Sequence, residues 1–211
     1  MRLFSSAWPV ISTAVCLSLS ACGPTVQSFV MPDFETVRYE ELKHPARLVP
    51  VHVEANYESN GKSDEGSSRQ LKADVENVLR HSKVMLPTTD PAVKASIAVT
   101  AENSYDPKQA RAAGIKAGIS MGYNGQQVID RYKFTVVYRD ESGEDRLGRY
   151  DHEFHTAIGK VTPPERAALV EPGSAFYTVV QDVILKFLYD LQAVDNVDVP
   201  IMFVPDSDKK L

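Results

Sequence analysis

Residues 126–158 read QQVIDRYKFTVVYRDESGEDRLGRYDHEFHTAI, two alternating runs joined by the polar turn Glu141-Ser142-Gly143-Glu144. In the first run, Gln126 to Arg139, the residues Val128, Tyr132, Phe134, Val136 and Tyr138 fall on one face. Ile129, Arg131, Lys133, Thr135 and Val137 fall on the other. The return, Leu147 to Ile158, brings Tyr150, His152, Phe154, Thr156 and Ile158 into one row. A period of two over such lengths marks half-buried strands. The stretch is therefore a hairpin whose aromatic face needs a cover.

Two helical segments can supply that cover. Leu71, Val75, Val78 and Leu79 recur at helical spacing in a segment that Ser68 can cap and that runs to about Ser82. After a loop rich in proline (Pro163, Pro164, Pro172), Ser174 can cap a longer helix reaching about Ala193. Its core stripe is Phe176, Val179, Val180, Val183, Phe187 and Leu191. Two more strands precede the hairpin: Leu48 to Tyr57, with Val49, Val51, Val53 and Ala55 on one face, and Ala95 to Ala101, with Ile97 and Val99 facing together. The expected fold is α+β, in the order β-α-β-β-β-β-α. Two helices pack on one face of a largely antiparallel sheet, and two layers satisfy every apolar stripe.

The third strand of that order is an unusual segment, Ala110 to Gln127, in which Gly114, Gly118 and Gly122 recur every four residues. Interior glycines penalise a soluble helix by about 1 kcal/mol each relative to alanine. The segment also alternates, with Ile115, Ala117, Ile119, Met121 and Tyr123 on one side, so strand is the assignment. Asn124-Gly125 suits a two-residue hairpin turn, which would pair Gly114–Tyr123 with the strand that follows. A strand with one glycine face lets another backbone approach closely. Gly114, Gly118 and Gly122, with Ile115, Ile119 and Met121, form the expected interaction surface.

The amino terminus carries an address. Met1-Arg2 leads into an apolar stretch of small residues ending in Leu19-Ser20-Ala21-Cys22, too short and too interrupted to span a bilayer comfortably. It reads as a cleaved signal. These four residues resemble the lipobox of bacterial lipoproteins, and the resemblance implies that Cys22 becomes the acylated first residue of the mature chain. Two or more acyl chains anchor stably. Gly23 follows, rather than the aspartate associated with inner-membrane retention, so the resemblance favours the outer membrane, facing the periplasm. The chain then divides into a signal peptide (1–21), a lipidated N-terminus and flexible tether (22–46), one α+β domain (47–193) and a C-terminal tail (194–211).

Composition narrows the function further. Loss of residues 1–21 removes one charge, Arg2, so Lys+Arg falls from 23 to 22 against 28 acids and the net charge becomes −6. An acidic surface lacks the basic footprint of nucleic-acid binding. Cys16 leaves with the signal and Cys22 is consumed by lipid, which leaves no disulfide.

No catalytic constellation stands. Gly118-Ile119-Ser120-Met121-Gly122 spells the nucleophile-elbow string of serine hydrolases, with Asp130, His152 and His155 downstream. That mechanism needs the serine on a strand-to-helix turn, and here a turn and a strand follow. His152 and His155 point to opposite faces of a strand, so they offer a metal at most two convergent ligands where three or four are needed. One is expected to face the sheet's cover and the other solvent. No catalytic residue, metal or cofactor is expected. Tyr132, Phe134, Tyr138, Tyr150 and Phe154 are expected to pack beneath the helices.

The order of elements resembles the envelope-assembly accessory lipoproteins, including the lipopolysaccharide-assembly lipoprotein and the auxiliary lipoproteins of lipid-exporting transporters. The expected role is a non-enzymatic binding or scaffold module for an envelope protein. The alternative is a carrier holding an apolar or lipid ligand between sheet and helices.

Overall fold

The computed structural model describes residues 25–105, 108, 111 and 125–194. Eight strands and two long helices make up these residues. The strands are β1 (Val26–Val30), β2 (Val49–Ser59), β3 (Lys62–Ser63), β4 (Met85–Pro87), β5 (Ser96–Ser104), β6 (Gln126–Arg139), β7 (Asp145–Ile158) and β8 (Ala168–Val170). The helices are α1 (Glu65–Ser82) and α2 (Ala175–Val194), and a 3-10 turn covers Tyr39–Glu41. The sheet runs β3-β2-β5-β6-β7-β1-β8, with β4 added beside β2. Its pairings are antiparallel except β2 with β5 and β2 with β4.

The β6–β7 hairpin forms as the alternation demands, in register from Gln126↔Ile158 to Arg139↔Asp145. Asp140 closes it. One carboxylate oxygen accepts from the Ser142 amide at 2.8 Å, the Glu144 amide at 2.9 Å and the Ser142 hydroxyl at 2.6 Å, while Gly143 takes φ +91°. Within β7, Gly148 is required by packing, because a β-carbon there would stand 2.7–2.8 Å from the Tyr150 and Phe187 rings.

Both helices lie on one face and touch each other. Leu71, Val75, Val78 and Leu79 of α1 meet Val179, Val180, Val183, Ile184, Leu185 and Leu188 of α2 in a core with Val51, Val53, Ile97, Val99, Phe134 and Val136 of the sheet. The α+β class, the two helices on one face and the largely antiparallel sheet are thus observed.

Helix α1 begins earlier than Ser68. Asp64 is the N-cap, its side chain accepting from the Ser67 amide at 2.6 Å. Ser68 sits inside the first turn, where its hydroxyl donates to the Asp64 carbonyl and accepts from the Tyr57 amide. The two Ser67 bonds, backbone and hydroxyl, hold the Asp64 carboxyl below the usual aspartate range. A lowered folded-state value gives stability that is present above the unfolded value and lost as pH falls through the folded one. We expect Asp64→Ala to lower the thermal midpoint at pH 7, with the gap to the parent closing in scans below the ordinary aspartate value of about 3.9.

Three further expectations are corrected. Residues 25–46 are not a flexible tether. Val26–Val30 is a sheet strand paired with both β7 and β8, Val37 and Leu42 are buried, and the Lys43 backbone exchanges two hydrogen bonds with the Gln192 amide. The domain accordingly begins at β1, not at residue 47. The strand beside β6 on the side away from β7 is β5, in register from Ser104↔Arg131 to Ser96↔Arg139. The Gly114–Tyr123 strand expected there lies outside the described residues, as do Cys22 and residues 195–211. The described order therefore carries more strands than the seven-element count, β1, β3, β4 and β8 among them.

Candidate functional site

The alternation of β7 sends His152 and His155 to opposite faces, as expected, but both are buried and neither is solvent-facing. His152 points under the helices. Its Nε2 lies 3.1 Å from Asp182 Oδ2 of α2 and its Nδ1 lies 3.1 Å from the Glu153 carbonyl, and Phe34 stacks on the ring with centroids 4.4 Å apart. Both ring nitrogens thus stand within hydrogen-bond distance of an oxygen acceptor. The pair ties the sheet to α2. Asp182 escaped the sequence reading although a signal existed, since it is the carboxylate lodged between Val179, Val180 and Val183 of an apolar stripe.

His155 occupies the opposite face. Phe29 of β1 stands directly across from it and stacks at 5.0 Å. Its Nδ1 is bonded to the Gln127 amide and its Nε2 lies 3.0 Å from Glu153 Oε1. With the Gln127 nitrogen donating, Nδ1 is the acceptor and Nε2–H donates to Glu153. Glu153 also pairs with Arg131 at 3.4 Å, and a second charge pair, Lys133↔Asp151, stands beside it in the register. An open cleft of about 450 Å³ runs along this part of the sheet, lined by Met31, Asp33, Ser104, Arg131, Lys133 and Glu153 among others. Its charges alternate in sign from strand to strand, beside an apolar part of the lining from Met31, Phe34 and Tyr132.

Near the Ser104 end of β5, the Asn103 Nδ2 lies 3.0 Å from the Tyr57 hydroxyl, 3.2 Å from that of Tyr132 and 3.4 Å from Asp130 Oδ1. Burial pushes the Tyr57, Tyr132 and Asp130 groups up, the Asn103 amide partly offsetting this for Asp130 and Tyr57. Asn103 Oδ1 is buried with no hydrogen-bond partner among the described residues. Phe154 stacks on Tyr132 at 5.9 Å and Phe176 lies tilted against it at 5.4 Å, so this aromatic set packs in the core beneath the helices as expected.

Among the described residues, Asp130, His152 and His155 are held apart by different partners. Ser120 and the surface formed by Gly114, Gly118, Gly122, Ile115, Ile119 and Met121 lie outside the described residues. Asp130 is held toward Asn103, while the carboxylate on His152 is Asp182. Among the described residues there is no group of three or more His, Cys, Asp or Glu side chains able to hold a metal ion, and no helix long and apolar enough to cross a membrane.

No protein-family profile matches the chain, and neither does any curated protein sequence. Among solved structures, it is similar to a dodecamer of a PelC point variant from Paraburkholderia phytofirmans, at 12% identity and a TM-score of 0.35 over 80% of this chain and 97% of that one. It is also similar to a homolog of the neuraminyllactose-binding hemagglutinin from Helicobacter pylori, at 9% identity and a TM-score of 0.34 over 72% and 88%. A minor lipoprotein from Acinetobacter baumannii follows, at 14% identity and a TM-score of 0.27 over 70% and 90%. Likeness at this level does not reach function.

Proposed function

We propose that the chain is a lipoprotein, held by acyl chains on Cys22 to the periplasmic leaflet of the outer membrane, and that it acts without chemistry of its own as a docking module for an envelope protein. The observation that carries this reading is how soon the sheet starts. Val26 opens β1, and the Thr25 carbonyl already accepts from the Gly159 amide at 2.7 Å. Four residues span at most about 14 Å, so a lipid on Cys22 would hold this end of the sheet close to the bilayer. The fourteen-residue strands β6 and β7 would carry the acidic hairpin Asp140–Glu144 roughly 46 Å away at about 3.3 Å per residue. A sheet held upright, helices on one face and alternating charges on the other, presents a fixed surface to a neighbour.

Photo-cross-linking from position 135, on the open face, tests this. One discrete envelope protein identified by mass spectrometry is expected from intact cells, and recovery of uncross-linked chain alone would remove the reading. Fractionation tests the anchor. Cys22→Ser should move the protein out of the membrane fraction and abolish palmitate labelling, and a Cys22→Ser chain that stayed in the membrane would contradict it.

A further inference from the structure

Strand β7 is paired unevenly. On one side β6 covers all of it, from Asp145 to Ile158. On the other side β1 covers only Phe154–Ile158, ending at Val30↔Phe154. Among the described residues no strand pairs with Asp145–Glu153 on that side, an edge of nine residues and about 30 Å. Open edges of this kind are usually guarded by charged side chains, proline or a bulge. This edge carries charges, but in their midst also Leu147, 47% exposed, opposite Val137 of β6.

We propose that this edge pairs antiparallel with the same edge of a second copy of the chain, centred on Leu147. The outward-facing residues in order are Asp145, Leu147, Arg149, Asp151 and Glu153. Centred on Leu147, the two leucines face each other, and Asp145 of each copy faces Arg149 of the other at the 4.5–5.5 Å spacing of direct cross-strand pairs. On the helix side the same register sets Arg146 against Gly148, beside the Tyr150 and Phe187 rings that cover it. Centring on Arg149 instead would oppose two arginines and set Asp145 against Glu153. Centring on Asp151 would oppose two aspartates and collide with β1. Only the Leu147 register matches charge and apolar surface together, and two-fold symmetry is the commonest closure for such contacts.

The test uses the full-length chain in its own membranes with Leu147→Cys, a replacement at an exposed position. Oxidation with copper phenanthroline should convert most of it to a disulfide-linked dimer, because directly opposed strand residues fall within the Cα range of a disulfide. The parent supplies the background. Arg149→Cys should cross-link at least tenfold less, its two copies being offset by four residues, about 13 Å. Adding Arg149→Asp to the Leu147→Cys chain should suppress the dimer, and Asp145→Lys with Arg149→Asp should restore it. Equal cross-linking at positions 147 and 149, or none at 147, overturns the proposal. So does a dimer that forms only after residues 195–211 are removed, which would assign the edge to the chain's own C-terminal segment.

Discussion

Replacing Asp182 by alanine is expected to lower the unfolding free energy by about 3–5 kcal/mol, the usual cost of removing one partner from a buried pair. The His152 side chain is 2% exposed and that of Asp182 11%, so the stranded imidazole gains little water in exchange. Phe34 closes the ring from a third direction, which adds to the isolation. The expected chemical-denaturation result is a lower midpoint with an unchanged slope, since the folded surface stays the same. A matched apolar pair, His152→Phe with Asp182→Leu, should recover most of the loss, because replacing both partners of a buried hydrogen bond by apolar groups is often nearly neutral. If Asp182→Ala costs less than about 1 kcal/mol, the pair does not hold the helix to the sheet.

Phe29→Ala is expected to cost a similar amount, about 3–5 kcal/mol, the range for truncating a buried phenylalanine. Phe29 is fully buried and stacks on His155, so its loss removes apolar burial and uncovers a polar cluster with Gln127 and Glu153. The result is diagnostic, because a ring on a free tether would leave stability unchanged. Equilibrium denaturation of the mature chain checks it, with Val26→Ala, at a largely exposed position of the same strand, expected to cost far less.

The legible part of this protein was local. The run Gln126–Ile158 carried its own period, its own turn residues and its own aromatic face, and each helix carried a stripe, so element types and the covered face followed from spacing alone. The misreadings share a different cause. Val26–Val30 is short and lies among prolines, so nothing in its own pattern separates a strand from a linker; its burial comes from β7 and β8 on either side. Asp64 took the cap that Ser68 was expected to fill, because Ser68 is engaged by the Tyr57 amide eleven residues away. Alternation predicts one of the two histidines in solvent, yet a neighbouring strand sets Phe29 over His155.

The sequence by itself determined the α+β class, the hairpin, the inward faces of the sheet and helices, and the placing of His152 and His155 on opposite faces of one strand. These depend on backbone geometry repeating every two or 3.6 residues, which a single chain segment encodes. Only the tertiary structure decided that β5 sits between β2 and β6, parallel to one and antiparallel to the other. It also decided that β1 turns a tether into a strand and that Asp182 meets His152 across thirty positions. Such pairings join distant segments that could each satisfy a neighbour equally well in isolation. The choice falls to whichever arrangement buries all the stripes, closes the buried polar groups and keeps the connections short at the same time.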